Sequence, residues 1–122
     1  MGLLKDKVAV VTGVGSGIGK AISNAFADEG ACLGIGDINE DLLSKTVEEL
    51  NNKSSKVKSL KTDVSDEEQV KKLIDDTVNT FGKLDIIVNN VSVAIGGYPI
   101  TDMSNDDWQK IIGINFSSVF YG

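Results

Sequence analysis

Four glycines alternate over seven positions: Gly13, Gly15, Gly17 and Gly19. They follow a short β-branched run at 7–12 and precede a stretch with helical apolar spacing at 18–29. A glycine turn at a strand-to-helix junction brings backbone N–H groups to a helix N-terminus, where the dipole also favours negative charge. The chemistry on offer is phosphate binding without a basic side chain. The plain alternative is a flexible turn, and four glycines at one such junction weigh against it.

Four nucleotide-loop patterns compete here. A P-loop needs Gly, four residues, then Gly-Lys-Ser/Thr. Aligned on Gly19-Lys20, its first position falls on Val14 and its last on Ala21, so it fails. The pattern G-x-G-x-x-G also fails, ending on Ile18 from Gly13 or on Lys20 from Gly15. A methyltransferase loop carries an acid just before the first glycine; here Val11 and Thr12 stand there. The spacing that fits is Thr12-Gly13-x-x-x-Gly17-Ile18-Gly19. It resembles the cofactor loop of the short-chain dehydrogenase/reductase family.

Asp37 closes the second apolar run, 18 residues after Gly19. An acid near that spacing can accept both ribose hydroxyls of an adenosine and repel a 2′-phosphate. An exposed turn acid is the bland reading. No Lys or Arg stands at Ser16 or directly after Asp37, so the resemblance implies NAD rather than NADP. It also implies cofactor contacts at Ser16, Ile18 and Ile38. Asp63-Val64 is either a turn ahead of a helix or, by the resemblance, the pair that holds the adenine. Asn89-Asn90-Val91-Ser92 matches the family's Asn-Asn-Ala-Gly in part, with Asn90 and Val91 at the cofactor; paired asparagines otherwise read as turn chemistry. Asn115 sits in a helical pattern where asparagine competes with the backbone for hydrogen bonds. The resemblance assigns it a catalytic role, holding a proton-relay water.

The family's catalytic Ser and Tyr-x-x-x-Lys have no counterpart here. Tyr98 has Asp102 four residues on, and Tyr121 is followed by Gly122 alone. The chain also lacks histidine, which removes a Ser-His-Asp triad and His-ligated zinc. The expectation is the NAD-binding half of an oxidoreductase acting on an alcohol or ketone, inactive as 122 residues alone. Either the gene product is longer or a catalytic half has been lost. The alternative is a non-catalytic dinucleotide-binding or interaction module.

The elements that must position these residues alternate. Strands are expected at 7–12, 31–37, 56–62 and 84–88, with helices at 18–29, 39–51, 65–81 and from Ser104 onward. Apolar stripes are read at Ala21, Ile22, Ala25 and Phe26; at Leu42, Leu43, Val47 and Leu50; and at Val70, Leu73, Ile74, Val78 and Phe81. Ser65 with Glu68 reads as a capping box, as does Ser104 with Asp107. Gly30 and Gly82 read as helix stops. The loop at 93–103 supplies a candidate pocket wall. Trp108 reads as a core anchor and Cys32 as a small buried hydrophobe in a strand interior. This alternation predicts one α/β domain over 1–122, a truncated Rossmann-like doubly wound parallel sheet in order 3-2-1-4. Strand four would then be an open apolar edge, and with the last helix it predicts self-association.

Composition fits that picture. Twelve basic against eighteen acidic residues give a formal charge of −6, which offers no footprint for nucleic acid or an anionic membrane. One cysteine precludes an internal disulfide and points to a reducing compartment. No targeting signal or spanning segment is visible, so the expectation is a soluble, cytoplasmic protein.

Overall fold

The computed structural model describes residues 2–53, 56–91 and 102–117, the last three as backbone alone. Four parallel strands, β1 (Val8–Thr12), β2 (Cys32–Asp37), β3 (Val57–Lys61) and β4 (Ile86–Val88), form one sheet in the order β3-β2-β1-β4. Helices α1 (Gly17–Asp28), α2 (Glu40–Asn51) and α3 (Glu67–Phe81) connect them. This is the expected α/β Rossmann-like arrangement. Among the described residues, no helix is long and apolar enough to cross a membrane.

The sheet's centre follows from composition. Val8, Ala9, Val10, Val11 and Thr12 are all buried, as a strand covered on both faces must be. Leu33 and Ile35 of β2 are fully buried in a cluster with Ala9, Val11, Ala27, Leu43 and Leu50 on the α1/α2 side. Each buried Val, Leu or Ile side chain among them contributes about 1.5–3 kcal/mol by leaving water. The β2 residues between them are Gly34 and Gly36. A Cβ on Gly34 would overlap Thr77, and one on Gly36 would come within 2.8 Å of Leu73. Two missing side chains thus let α3 lie close against the other face.

The helix stripes match the expected ones in part: Leu43, Leu50, Val70 and Leu73 are buried, and Ile22, Phe26 and Val47 pack half-buried against the core. Ala21 and Ala25 are exposed, and α1 buries Gly19, Ser23 and Ala27 instead. In α2 the buried set is Leu43, Thr46 and Leu50, and in α3 it is Val70, Leu73 and Thr77. Each buried hydroxyl has a carbonyl to donate to: Ser23 to Gly19 at 2.9 Å, Thr46 to Val14 at 3.0 Å, Thr77 to Leu73 at 2.7 Å. A satisfied hydroxyl is cheap to bury, and small residues permit close approach.

Other boundaries shift for identifiable reasons. β4 begins at Ile86; Asp85 before it donates its backbone N–H to Val8 O at 2.9 Å, while its side-chain Oδ2, in place of a backbone carbonyl, accepts the Val8 N–H at 2.9 Å. That bond and the Lys83 ammonium at 3.0 Å hold the Asp85 carboxyl below its ordinary range. The N-cap of α3 is Asp66, not Ser65. Asp66 Oδ1 accepts from Glu68 N at 3.0 Å, while the Ser65 hydroxyl is committed to Asp63 Oδ1 at 2.6 Å. Gly82 ends α3 in the left-handed region, and Gly30 follows α1 with φ 93°. Cys32 is half-buried at the first position of β2, beside a recess that Lys5, Lys53 and Lys56 also line.

The last helix, α4 (Asn105–Ile111), starts at Ser104, whose hydroxyl accepts the Asp107 N–H at 3.1 Å. It gives way to a π-helical turn over Ile112–Ser117 rather than continuing as α. Trp108 is 46% exposed and is not a core anchor. The reason is its helix: α4 buries no residue, and the following turn is its sole neighbour among the described elements. The loop at 93–103 falls outside the described residues up to position 101, as do Ser92, Tyr98 and Tyr121.

Candidate functional site

A cleft of about 360 Å³ opens at the carboxyl ends of the strands, where the chain order reverses about β1. Open α/β sheets hold ligands at this switch point. Nine of the twelve positions singled out for a cofactor line it: Gly13, Ser16, Ile18, Asp37, Ile38, Asp63, Val64, Asn90 and Val91. The remaining three, Thr12, Gly17 and Gly19, build its floor and turn. Thr62 and Ile114 complete the lining and carry no sequence motif. Thr62 adjoins Asp63 at the end of β3, and Ile114 adjoins Asn115 in the π-helical turn. Asn115 is thus in the right stretch of chain, but its side chain lies outside the described residues.

The glycine turn has a defined construction. Gly17 has φ +59° and open space within 4 Å of where a Cβ would stand, so glycine is required there for backbone conformation. Gly19 is required for space. A Cβ there would lie 2.6 Å from Asn90 Nδ2 and closer still to the Gly13 carbonyl oxygen. Asn90 braces the turn, donating from Nδ2 to Gly13 O and from its backbone N–H to Thr12 Oγ1, each at 3.2 Å. Thr12 in turn donates to Val88 O at 3.4 Å. Asn90 of the asparagine pair therefore does carry turn chemistry, at the cleft's own turn.

The N-terminus of α1 is open. Ser16 is extended and makes no side-chain cap, and no acid stands in the first turn. The first N–H groups of a helix have no partner within it, and here Ser16 and Ile18 at that start line the cleft. Asp37 lines the same cleft. Its Oδ2 accepts from Gly15 N and its Oδ1 from Asn39 N, both at 2.8 Å. An ionised carboxylate has about four acceptor sites, so each oxygen keeps capacity for a further hydroxyl. Asp63 lines the far end while its Oδ1 also accepts from Ser65 N and Oγ, so the acid serves the turn ahead of α3 and borders the cleft at once.

The cleft's surroundings fit a nucleotide. Its lining holds two acids and no basic side chain. Ile18 and Ile38 are 71% and 60% exposed, and both border it. Exposed apolar side chains flanking polar acceptors suit a flat ring with hydroxyls attached. Phosphate charge would be met by backbone N–H groups alone. No group of His, Cys, Asp or Glu among the described residues could hold a metal ion.

Known proteins resemble this chain in sequence and fold. The profile of the short chain dehydrogenase family matches residues 7–122. A 3beta-hydroxysteroid dehydrogenase of Eggerthella lenta is 39% identical over 120 residues, covering 98% of this chain and 46% of that protein. A 3-oxoacyl-[acyl-carrier-protein] reductase of Thermotoga maritima is 35% identical, covering 96% of this chain and 47% of its own. The crystal structure of a short chain dehydrogenase/reductase from Burkholderia phymatum in complex with NAD superposes with a TM-score of 0.94 at 37% identity, over 100% of this chain and 43% of that one. NAD+-bound xylitol dehydrogenase superposes with a TM-score of 0.91 at 32% identity, over 98% and 46%. The chain spans about half the length of the proteins it matches.

Proposed function

The chain belongs to the short-chain dehydrogenase family, and from that premise we propose that it is the NAD-binding half of an oxidoreductase. The reaction proposed is hydride transfer between the nicotinamide and a small alcohol or ketone. The observation that carries this reading is a pairing at one cleft. A carboxylate fixed by two backbone N–H groups, one of them from the glycine turn, lines the same cleft as the start of a helix with no side-chain cap and no acid.

The proposed roles follow from position. Asp37 accepts both hydroxyls of the adenosine ribose, and a 2′-phosphate there would meet its charge. The N–H groups of Ser16, Gly17, Ile18 and Gly19 face the pyrophosphate. Ile18 and Ile38 flank the cofactor on its apolar sides, and Asp63 and Val64 hold the adenine. Gly13, Thr12, Asn90 and Val91 shape the turn beneath it. Asn115 positions a water for proton relay. When bound, the nicotinamide supplies the hydride chemistry. The phenol and lysine that would exchange the proton are not present as Tyr-x-x-x-Lys in these 122 residues, so binding without turnover is the behaviour proposed for them alone.

Equilibrium titration with NADH, NADPH and S-adenosylmethionine tests the reading. NADH should bind most tightly and S-adenosylmethionine should fail to compete. Asp37→Ala should weaken NADH by about tenfold or more, since hydrogen bonds to a charged group contribute about 1.5–3 kcal/mol. The same change should bring NADPH level with NADH. Unchanged NADH affinity in that variant would remove Asp37 from the site.

A further inference from the structure

The peptide group between Val14 and Gly15 is held at both poles. Its carbonyl oxygen accepts from the Thr46 hydroxyl on α2 at 3.0 Å, and its N–H donates to Asp37 Oδ2 at 2.8 Å. In a trans peptide the C=O and N–H point in opposite directions. The three groups therefore run head to tail: hydroxyl to carbonyl, then amide to carboxylate. Such chains polarise each member, and more so away from water. Thr46 and Val14 are both fully buried.

The packing leaves this peptide little freedom. Leu42, one helical turn before Thr46, presses on Gly15. A Cβ on Gly15 would stand 2.8 Å from Leu42 Cβ and 2.9 Å from Asp37 Oδ2. One ridge of α2 thus touches the glycine turn twice. Asn39, which caps α2 through Leu42 N at 3.0 Å, gives its own N–H to Asp37 Oδ1. Both oxygens of the carboxylate are therefore set by α2, one directly at its cap and one through the Thr46 relay.

Resting on the reading of Asp37 as the ribose acceptor, we infer that Thr46 is a positioning residue for cofactor selection. Its hydroxyl, acting through one peptide group, orients the Asp37 carboxylate toward the ribose diol. Loss of the hydroxyl frees that peptide to tilt and lets the carboxylate swing out of line. The bland alternative is a buried threonine that satisfies the Val14 carbonyl and does nothing for the ligand.

A double-mutant cycle on the full chain separates the two, with NADH and NADPH dissociation constants as readouts and thermal melts as the folding check. Thr46→Val keeps the shape and removes the hydroxyl; Thr46→Ser does the reverse. Thr46→Val should weaken NADH by about fivefold and narrow the NADH-over-NADPH preference by a similar factor, whereas Thr46→Ser should stay within about twofold of the parent on both. With Asp37→Ala already present, Thr46→Val should change NADH affinity by less than about twofold, because the group it acts through is gone. Equal losses in both backgrounds, or a parallel loss for NADH and NADPH, would overturn the inference. Should Thr46→Val not fold, Thr46→Ser decides: a loss of preference beyond about fivefold overturns it, and retention supports it. A parent chain that binds no NADH instead sinks the reading of the cleft itself.

Discussion

Two helices of this protein begin in the same way and end up with opposite uses. Both α1 and α3 start within a few residues of the carboxyl end of a parallel strand, β1 and β3. At α3 every device for quieting a helix N-terminus is present. Asp66 caps it, Glu67 and Glu68 follow in the first turn, and Gln69 reaches back to Asp66 Oδ2 at 3.1 Å. At α1 every such device is missing: no cap, no acid, and glycine at the first and third positions. The helices α2 and α4 side with α3, with caps at Asn39 and Ser104 and two acids each in the first turn. Among the described residues, three helix starts are quieted and the fourth, which borders the cleft, is left without a side-chain cap. The difference teaches where fold stability ends and ligand chemistry begins.

The change expected to break this contrast most completely is Gly19→Ala. Alanine is the better helix former by about 1 kcal/mol, so propensity alone predicts stabilisation. The added Cβ would run into the Gly13 carbonyl and Asn90 Nδ2, and overpacking of that kind costs about 1–3 kcal/mol. The clash wins: the melting temperature should fall and NADH binding should be lost to titration. A more stable variant that still binds would show that α1 can move away from its turn freely.

Next in size is Ser16→Asp, which gives α1 the cap that α3 has. The new carboxylate can accept from the first-turn N–H groups and complements the dipole, worth about 0.5–1 kcal/mol. Yet it takes the same N–H groups and sets a negative charge beside the proposed pyrophosphate. Melting temperature should rise while NADH affinity drops about tenfold, equivalent to about 1.4 kcal/mol. Stability and affinity moving in opposite directions is what a vacant cap predicts. If both rise together, the N–H groups of α1 are not the phosphate contacts.

Most of this contrast is legible in the sequence, for physical reasons. Alternating glycines between a β-branched run and an amphipathic stretch mark the turn, and Gly30 and Gly82 mark where helices must stop. The parallel sheet follows from a first strand too apolar for a solvated face and from the alternation of strands with helices. Hydropathy fails where buried positions are small or hydroxylated: Ser23, Thr46 and Thr77 are fully buried, yet none is apolar. Their burial depends on a carbonyl within reach, which a periodic pattern does not encode. In the sequence Gly15 is one glycine among four, because its contacts with Leu42 and Asp37 appear only when α2 folds back. Thr62 enters the cleft unannounced for a similar reason. It is a strand-end threonine whose own hydroxyl turns back to Leu60 O, with no motif to flag it. The Ser65 cap fails because Asp63 takes its hydroxyl first, a competition between two turn-forming side chains that spacing alone does not rank.

The smallest effect expected is on the α3 side of the comparison, and its smallness is the point. Asp66→Ala removes the bond to Glu68 N and the contact from Gln69. Losing an N-cap of this type costs about 1 kcal/mol, softened here by Glu67 and Glu68, which still complement the dipole. Asp66 does not line the cleft, although Asp63 and Val64 just before it do. NADH affinity should therefore stay within about twofold while the melting temperature falls, a stability loss without a binding loss. Asp66→Asn keeps an acceptor oxygen and should recover most of the stability. A drop in NADH affinity as large as that of Ser16→Asp would mean that the α3 start feeds the adenine end of the cleft through Asp63. The two helix starts would then be parts of one site, and their contrast a matter of which end of the cofactor each one faces.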